Sequence, residues 1–322
     1  MTTHDHALGI HHVTAIAGDP QRNVDFYAGT LGLRMVKRTV NFDDPTTYHF
    51  YYGDETGTPG SIVTFFPWPG ARAGRAGAGQ VTVTSLAIPP GAVAYWLERL
   101  VQQGVAFTGP ASRFDERVLS FKDPDGMVVE LVAHAATAAR PGWSGGPVPA
   151  EAAVRGVHSV TLWVDGGDPT ARVLVDTLGF REVARDAGTT RYEVGEGGPG
   201  SYVDVRDVGG FQRGVGGTGT VHHVAFRTAG DEPQTRIAGR AAETGLQVTT
   251  MRDRQYFHSH YFREPGGVLF ELATDVPGFL IDEPLSTLGE ALKLPPQYEP
   301  QRAEIERALL PIHLPSSVGA RP

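Results

Sequence analysis

The sequence runs to 322 residues, 40% hydrophobic and 20% charged, with a formal net charge of -8 and no cysteine. That composition is ordinary for a soluble globular protein of about two domains; it excludes disulfides, iron–sulfur clusters and thiolate metal sites and speaks against nucleic acid as a partner. No apolar run approaches the roughly 20 residues that span a bilayer, and the polar start at 1–9 has no signal-peptide core, so a cytoplasmic homo-oligomer with no membrane partner is expected.

In chain order, the first strand is GIHHVTAIA at 9–17, and the same kind of strand returns three times. The returns are VTSLAIP at 83–89, GVHSVTLWV at 156–164 and TVHHVAFRT at 220–228. Each alternates or is rich in β-branched residues. A helix should follow each one. The first starts at Asp19-Pro20 with Val24, Tyr27 and Leu31 at helical spacing, and the second carries Val93, Trp96, Leu97, Leu100 and Val101 on one face. The third spans roughly 168–178 and the fourth roughly 231–244. Each unit closes on a strand led by glycine: Gly60-SIVT, Gly126-MVVE, Gly200-SYVD and Gly267-VLFE.

This pattern predicts an α+β protein of four βαβββ modules, paired into two domains with curved mixed sheets. The expected division is 1–135 for the N-terminal pair of modules, 136–153 for an Ala/Pro/Gly-rich linker, and 154–275 for the C-terminal pair. A tail at 276–322, with one amphipathic helix near 299–310, should clasp the body.

Aligning the opening strands puts His12, Ser85, Ser159 and His223 at one position, and the closings put Thr64, Glu130, Asp204 and Glu271 at another. Only modules one and four offer imidazole. Facing each other, they would supply His12, His223 and Glu271 to one metal, with Thr64 too weak a donor to complete the set. Modules two and three would then form a second cup without histidine. A lone histidine opening a strand is more often structural, but two at matching positions of separate repeats, with a glutamate at a third, point to a metal. Two imidazoles and one carboxylate with open positions are what non-haem Fe(II) oxygenases need, and Mn(II) or Zn(II) would fit the same atoms.

Neighbouring groups divide by the strand pleat. Thr14 shares the face of His12, whereas His11 and His222 should point away by strict alternation. In RDRQYFHSHYFREPGG at 252–267, Tyr261 could lie across a hairpin from Glu271, and Arg254 could pair with a substrate oxygen or a carboxylate. His4 and His6 read as a flexible terminus, GRAGAGQ at 74–80 lacks the strand–helix context of a phosphate-binding turn, and Trp68, Trp96 and Trp143 read as packing or loop residues.

These residues resemble the vicinal oxygen chelate superfamily of glyoxalase I, bleomycin-resistance proteins and extradiol dioxygenases. HHVT at 11–14, FYAGTLGLRMVKRTVNFDDP at 26–45, VHHVAF at 221–226 and YFREPGGVLFELATDVPGF at 261–279 are similar to its hydroquinone-type ring-cleaving dioxygenase branch. The likeness covers nearly the whole chain, including LGEALKLPPQYEPQR at 288–302. It implies iron on His12, His223 and Glu271, with supporting roles for His11, Thr14, His222, Arg254 and Tyr261. The implied partners are a small aromatic diol and O2. His260 stands where an apolar residue is expected. His222 or His11 is the expected proton acceptor, as imidazole titrates near working pH. A glyoxalase-like isomerase or lyase without redox chemistry, which usually wants a fourth protein ligand, and a metal-free binding protein are the rival readings.

Overall fold

The computed structural model describes residues 6–315; His4 lies outside them. Module one contains β1 (Ile10–Ala17), β2 (Arg34–Asn41), β3 (Asp44–Gly53) and β4 (Ile62–Pro67). Module two contains β5 (Gln80–Ile88), β6 (Phe107–Arg113), β7 (Glu116–Lys122) and β8 (Val128–Ala133). In module three the strands are β9 (Val157–Val164), β10 (Arg181–Asp186), β11 (Thr189–Glu193) and β12 (Tyr202–Asp207). Module four has β13 (Thr220–Thr228), β14 (Arg252–Asp253), β15 (Phe257–Arg263) and β16 (Leu269–Pro277).

The helices follow the opening strands. Residues Pro20–Val24 form α1, which an Asp19 side chain caps by accepting from the Arg22 N–H at 2.8 Å. Next come α2 (Val93–Gln102), α3 (Gly167–Arg172) and α4 (Asp231–Glu243), and α5 (Arg302–Ala308) lies in the tail. In modules one and three a wider π turn extends the helix, over Asp25–Thr30 and Val173–Thr177. Their shared Thr-Leu-Gly phrase has a local cause. Leu31 and Leu178 are fully buried, and the glycine after each, Gly32 and Gly179, turns the chain at positive φ. A Cβ on Gly32 would meet Val148 at 2.5 Å.

In every module the opening strand pairs in parallel with the closing strand: β1 with β4, β5 with β8, β9 with β12 and β13 with β16. Two modules then join through antiparallel pairing of their opening strands. β1 pairs with β13 and β5 with β9, giving two curled, mixed eight-stranded sheets. The first sheet is ordered β14-β15-β16-β13-β1-β4-β3-β2 and the second β10-β11-β12-β9-β5-β8-β7-β6. Each sheet therefore takes one module from each half of the chain, so residues 136–153 separate halves of the sequence and not the two sheets. Helices and apolar strand faces bury a continuous core that includes Tyr27, Phe65, Trp96, Leu162 and Phe226. Each such side chain contributes about 1.5–3 kcal/mol by leaving water.

The tail lies against β2. Buried Lys37 reaches Asp282 at 2.6 Å and also Glu283. Phe279 packs on Tyr51 and Tyr256, with ring centroids 5.1 and 5.0 Å apart. Among the described residues no helix is long and apolar enough to cross a membrane.

Candidate metal centre

The central β1–β13 pairing brings the two ends of the chain together, and its irregularities aim the histidines. Ile10 pairs with Phe226 but His12 with Ala225, so His11 is an extra residue on β1. Thr14 pairs with His223 but Ala15 with Val221, so His222 is an extra residue on β13. Each histidine pair thus sits on a β-bulge, which breaks the alternation and lets neighbouring side chains meet. The expectation that His11 and His222 point away therefore fails for His222, which lines the cavity over the site, whereas His11 stays outside that cavity yet still touches His12. His11 Nδ1 lies 2.9 Å from His12 Nδ1, and His222 Nδ1 lies 2.7 Å from His223 Nδ1.

Inside the cup, His12 Nε2 and His223 Nε2 are 3.2 Å apart. Glu271 Oε2 lies 3.3 Å from the first and 2.8 Å from the second. All three residues are buried. The other carboxylate oxygen, Oε1, accepts from Ser259 Oγ at 2.5 Å, whereas Oε2 has no hydrogen bond of acceptable geometry. An orphaned buried carboxylate oxygen between two imidazoles is costly unless a cation satisfies it. With His12 Nδ1–H donating to His11 Nδ1 across the 2.9 Å contact, the His12 Nε2 lone pair faces inward. The donor set fits a divalent metal ion held by His12, His223 and Glu271.

The electrostatics agree. Burial alone would raise the Glu271 pKa, but the His12 and His223 imidazoles outweigh it and hold the carboxyl well below its usual range. Burial lowers the pKa of His223, and burial with the neighbouring His12 lowers that of His11. Burial, with His223 beside it, brings His222 down to about 4. Burial thus holds both partner histidines below the range in which imidazole ordinarily titrates.

A cavity of about 360 Å³ opens over these three side chains. Thr14, His222, Arg254 and Tyr261 line it, and His11 does not; it lies beneath, with its ring 5.0 Å from that of Phe257. Tyr261 pairs with Glu271 across the β15–β16 hairpin, and burial, then the Glu271 charge, keeps its phenol protonated. Arg254 Nε donates to Tyr261 Oη at 3.3 Å, and Arg254 Nη2 reaches Asp43 at 3.4 Å. His260 is turned out of the cavity to the Thr249 carbonyl, and His258 pairs with Asp231. Tyr256 instead bonds Asp282 in the tail.

Several cavity residues escape the sequence reading. Trp68, expected to be a packing or loop residue, lines the cavity with its Nε1 on Asp44 Oδ2 at 3.2 Å. His49, Tyr51 and Phe66 form a further wall. Tyr51 faces Thr64 across β3–β4 as Tyr261 faces Glu271 across β15–β16, and His49 and Ser259 each precede that tyrosine by two residues. The period-2 alternation of β3 carried this signal.

The second cup corrects another expectation, because it does contain histidine. His158 is skipped in the β5–β9 register just as His222 is in the first sheet, and His134 follows β8. Glu116 Oε1 lies 2.8 Å from His158 Nε2 and 3.7 Å from His134 Nε2, so these three residues also gather potential ligand atoms. Here, however, guanidinium groups take the central place. Arg191 binds Asp204 through two bonds of 2.8 and 2.9 Å and Glu116 through a third of 2.7 Å. Arg113 bonds both oxygens of Glu130. His134 Nδ1 accepts from the Ala136 N–H at 3.1 Å, which leaves the proton on the Nε2 that faces Glu116.

Comparison with known proteins agrees with this architecture. Residues 9–131 match the family described as the Glyoxalase/Bleomycin resistance protein/Dioxygenase superfamily. A Bacillus subtilis protein named "Putative ring-cleaving dioxygenase MhqO" is 48% identical over 307 residues, covering 95% of this chain and 97% of the relative. The chain belongs to the glyoxalase/bleomycin-resistance/dioxygenase superfamily. Within the superfamily, the chlorohydroquinone/hydroquinone 1,2-dioxygenase of Sphingobium indicum is 35% identical, covering 94% of this chain and 95% of its own. A crystal structure of a B. subtilis protein titled a putative dioxygenase superposes with a TM-score of 0.91 at 46% identity, over 97% of this chain and 99% of that one. Glyoxalase I from Zea mays, at 17% identity and a TM-score of 0.62 over 88% of this chain and 97% of that one, shares the fold.

Proposed function

We propose that this superfamily member is a non-haem Fe(II)-dependent dioxygenase that opens the ring of a hydroquinone- or catechol-type aromatic with O2. The observation that carries the reading is the convergence of His12, His223 and Glu271 from the first and last modules, with Glu271 Oε2 orphaned among them. Names of relatives across nearly the full chain support the reaction class.

When bound, Fe(II) would offer open positions to both substrate and O2 and relay electrons from the ring, which is oxidised, to O2, which is reduced. The chain's own groups do the rest. A cavity of about 360 Å³ walled by Phe66, Trp68 and Phe257 suits a single aromatic ring. His222, unprotonated and at the cavity wall, can accept a hydrogen bond from a substrate hydroxyl, and negative charge on that oxygen would raise its pKa from about 4 toward what is needed to hold the proton, while His11 fixes the ring of His12 from below. Arg254 and the protonated Tyr261 can donate to substrate oxygens and stabilise negative charge developing there.

The isomerase reading is less well supported, because the Thr64 hydroxyl is committed to Thr14 at 2.8 Å and to His49 at 2.9 Å. The test is O2 uptake by anaerobically reconstituted protein over a panel of substituted hydroquinones and catechols, with Fe(II) compared with Zn(II). Uptake with Fe(II) alone is expected. No uptake with any diphenol would overturn the proposal.

A further inference from the structure

Thr14, Thr64, His49 and Tyr51 form one unbranched chain of hydrogen bonds. Its links are Thr14 Oγ1 to Thr64 Oγ1 at 2.8 Å, Thr64 Oγ1 to His49 Nε2 at 2.9 Å, and His49 Nδ1 to Tyr51 Oη at 2.9 Å. The middle members are held in place: Thr64 is fully buried, and the His49 ring lies 4.0 Å from that of Tyr51 and 4.4 Å from that of Phe66. Both ends, Thr14 and Tyr51, line the cavity over the candidate metal centre.

Proton counting restricts this chain. Burial, and then His12 and His223, keep the imidazole neutral, and burial keeps the Tyr51 phenol protonated. The four groups therefore hold four exchangeable protons, one on the imidazole and three on hydroxyls. Three links consume three of them, so one proton is left over, at an end. If His49 carries its proton on Nε2, Tyr51 donates to Nδ1, Thr64 donates to Thr14, and the Thr14 hydroxyl is the free donor. If the proton is on Nδ1, every link reverses and Tyr51 is the free donor. One end offers a proton while the other offers only lone pairs.

We propose that this chain selects a ligand bearing one ionised and one protonated oxygen, the monoanion of an aromatic diol, with the imidazole tautomer of His49 matching donor to acceptor at each end. It rests on the diol reading above and assigns His49 and Thr64 as positioning residues within it. A ligand with two acceptor oxygens mismatches one end, because both ends cannot donate together.

The test uses the full chain loaded with Zn(II), which binds a diol without reducing O2. Calorimetric dissociation constants are measured for hydroquinone against 4-methoxyphenol and for catechol against 2-methoxyphenol, with Trp68 fluorescence as a second readout. At a pH where the bound phenol of each ligand is ionised on Zn(II), so that the ether offers two acceptors and the diol one acceptor and one donor, the wild type should bind the diol about tenfold more tightly than its monomethyl ether, the size expected for one hydrogen bond involving a charged group. Thr64→Val, nearly isosteric, cuts the chain and lets Thr14 and Tyr51 each donate. It should strengthen ether binding and bring the ratio to within about twofold, at unchanged zinc content. His49→Phe keeps the aromatic stacking, cuts the chain at a second point and should do the same. If the wild type binds the diol but the ratio is equal in wild type and both variants, this inference fails and the diol reading stands. If the wild type binds neither diol and shows no O2 uptake with Fe(II), the diol reading fails and takes the inference with it.

Discussion

The two cups are built on the same pattern of strands, yet each meets its buried carboxylates with a different kind of cation. In the first, Glu271 faces two imidazoles whose Nε2 atoms are turned toward it, and its Oε2, though close to both, makes no hydrogen bond of acceptable geometry. In the second, the equivalent carboxylates Glu130 and Asp204 are met by Arg113 and Arg191, so the positive charge is supplied by the chain itself. A buried carboxylate must be neutralised wherever it stands. Whether a site is left for a metal depends on whether an arginine reaches it first.

The sharpest way to break this comparison is to remove the carboxylate from the first cup. Glu271→Ala should lower bound metal from about one ion per chain to under about a tenth, because only two imidazoles remain and metal affinity depends on a complete deprotonated donor set. Metal analysis after dialysis reads the effect. Arg191→Met in the second cup should leave metal content alone but destabilise the fold by about 3–5 kcal/mol, since it strands Asp204 without its partner. Denaturant melts of the metal-free protein measure it. Loss of metal in this variant would blur the division between the cups.

Acid should separate them next. In the second cup, burial favours protonation of Glu116, but His158 and Arg191 outweigh it and bring the carboxyl down to about 2. Its folded pKa lies below the unfolded value of about 4.3. Its contribution is therefore present above that unfolded value and is lost as pH falls toward 2. In the first cup, protons compete with a metal for imidazole nitrogens at higher pH. Metal release should precede loss of tertiary circular dichroism in an acid titration; coincident transitions would contradict this order. The smallest effect belongs to the rim of the first cup. Asp43 is 67% exposed and 3.4 Å from Arg254, so Asp43→Asn should change stability by under about 1 kcal/mol in thermal melts.

Much of this contrast was legible in the sequence. The opening strand, the leading glycine and the polar residue four positions later recur together, so the four modules and the aligned positions could be read directly. Imidazoles at the aligned opening-strand position, present there in modules one and four alone, pointed to the pairing that β1 and β13 adopt. Three things were hidden. The bulges at His11, His222 and His158 interrupt strict alternation, and nothing in a residue's identity marks a bulge. Arg113 ends β6 and Arg191 lies within β11, so no common alignment position announces that both fill one cup. His49 and Tyr51 escaped because β3 and β4 are joined by a longer loop than β15 and β16, which shifts the spacing that Ser259 and Tyr261 keep to Glu271.

The most direct test of the central claim is anomalous X-ray scattering from crystals of the Fe(II)-loaded protein, collected at the iron edge. One ion bound by His12, His223 and Glu271, with no fourth protein ligand and no ion at Glu116, His134 and His158, is predicted. Iron in the second cup, or a first cup whose metal is saturated by protein atoms, would contradict it.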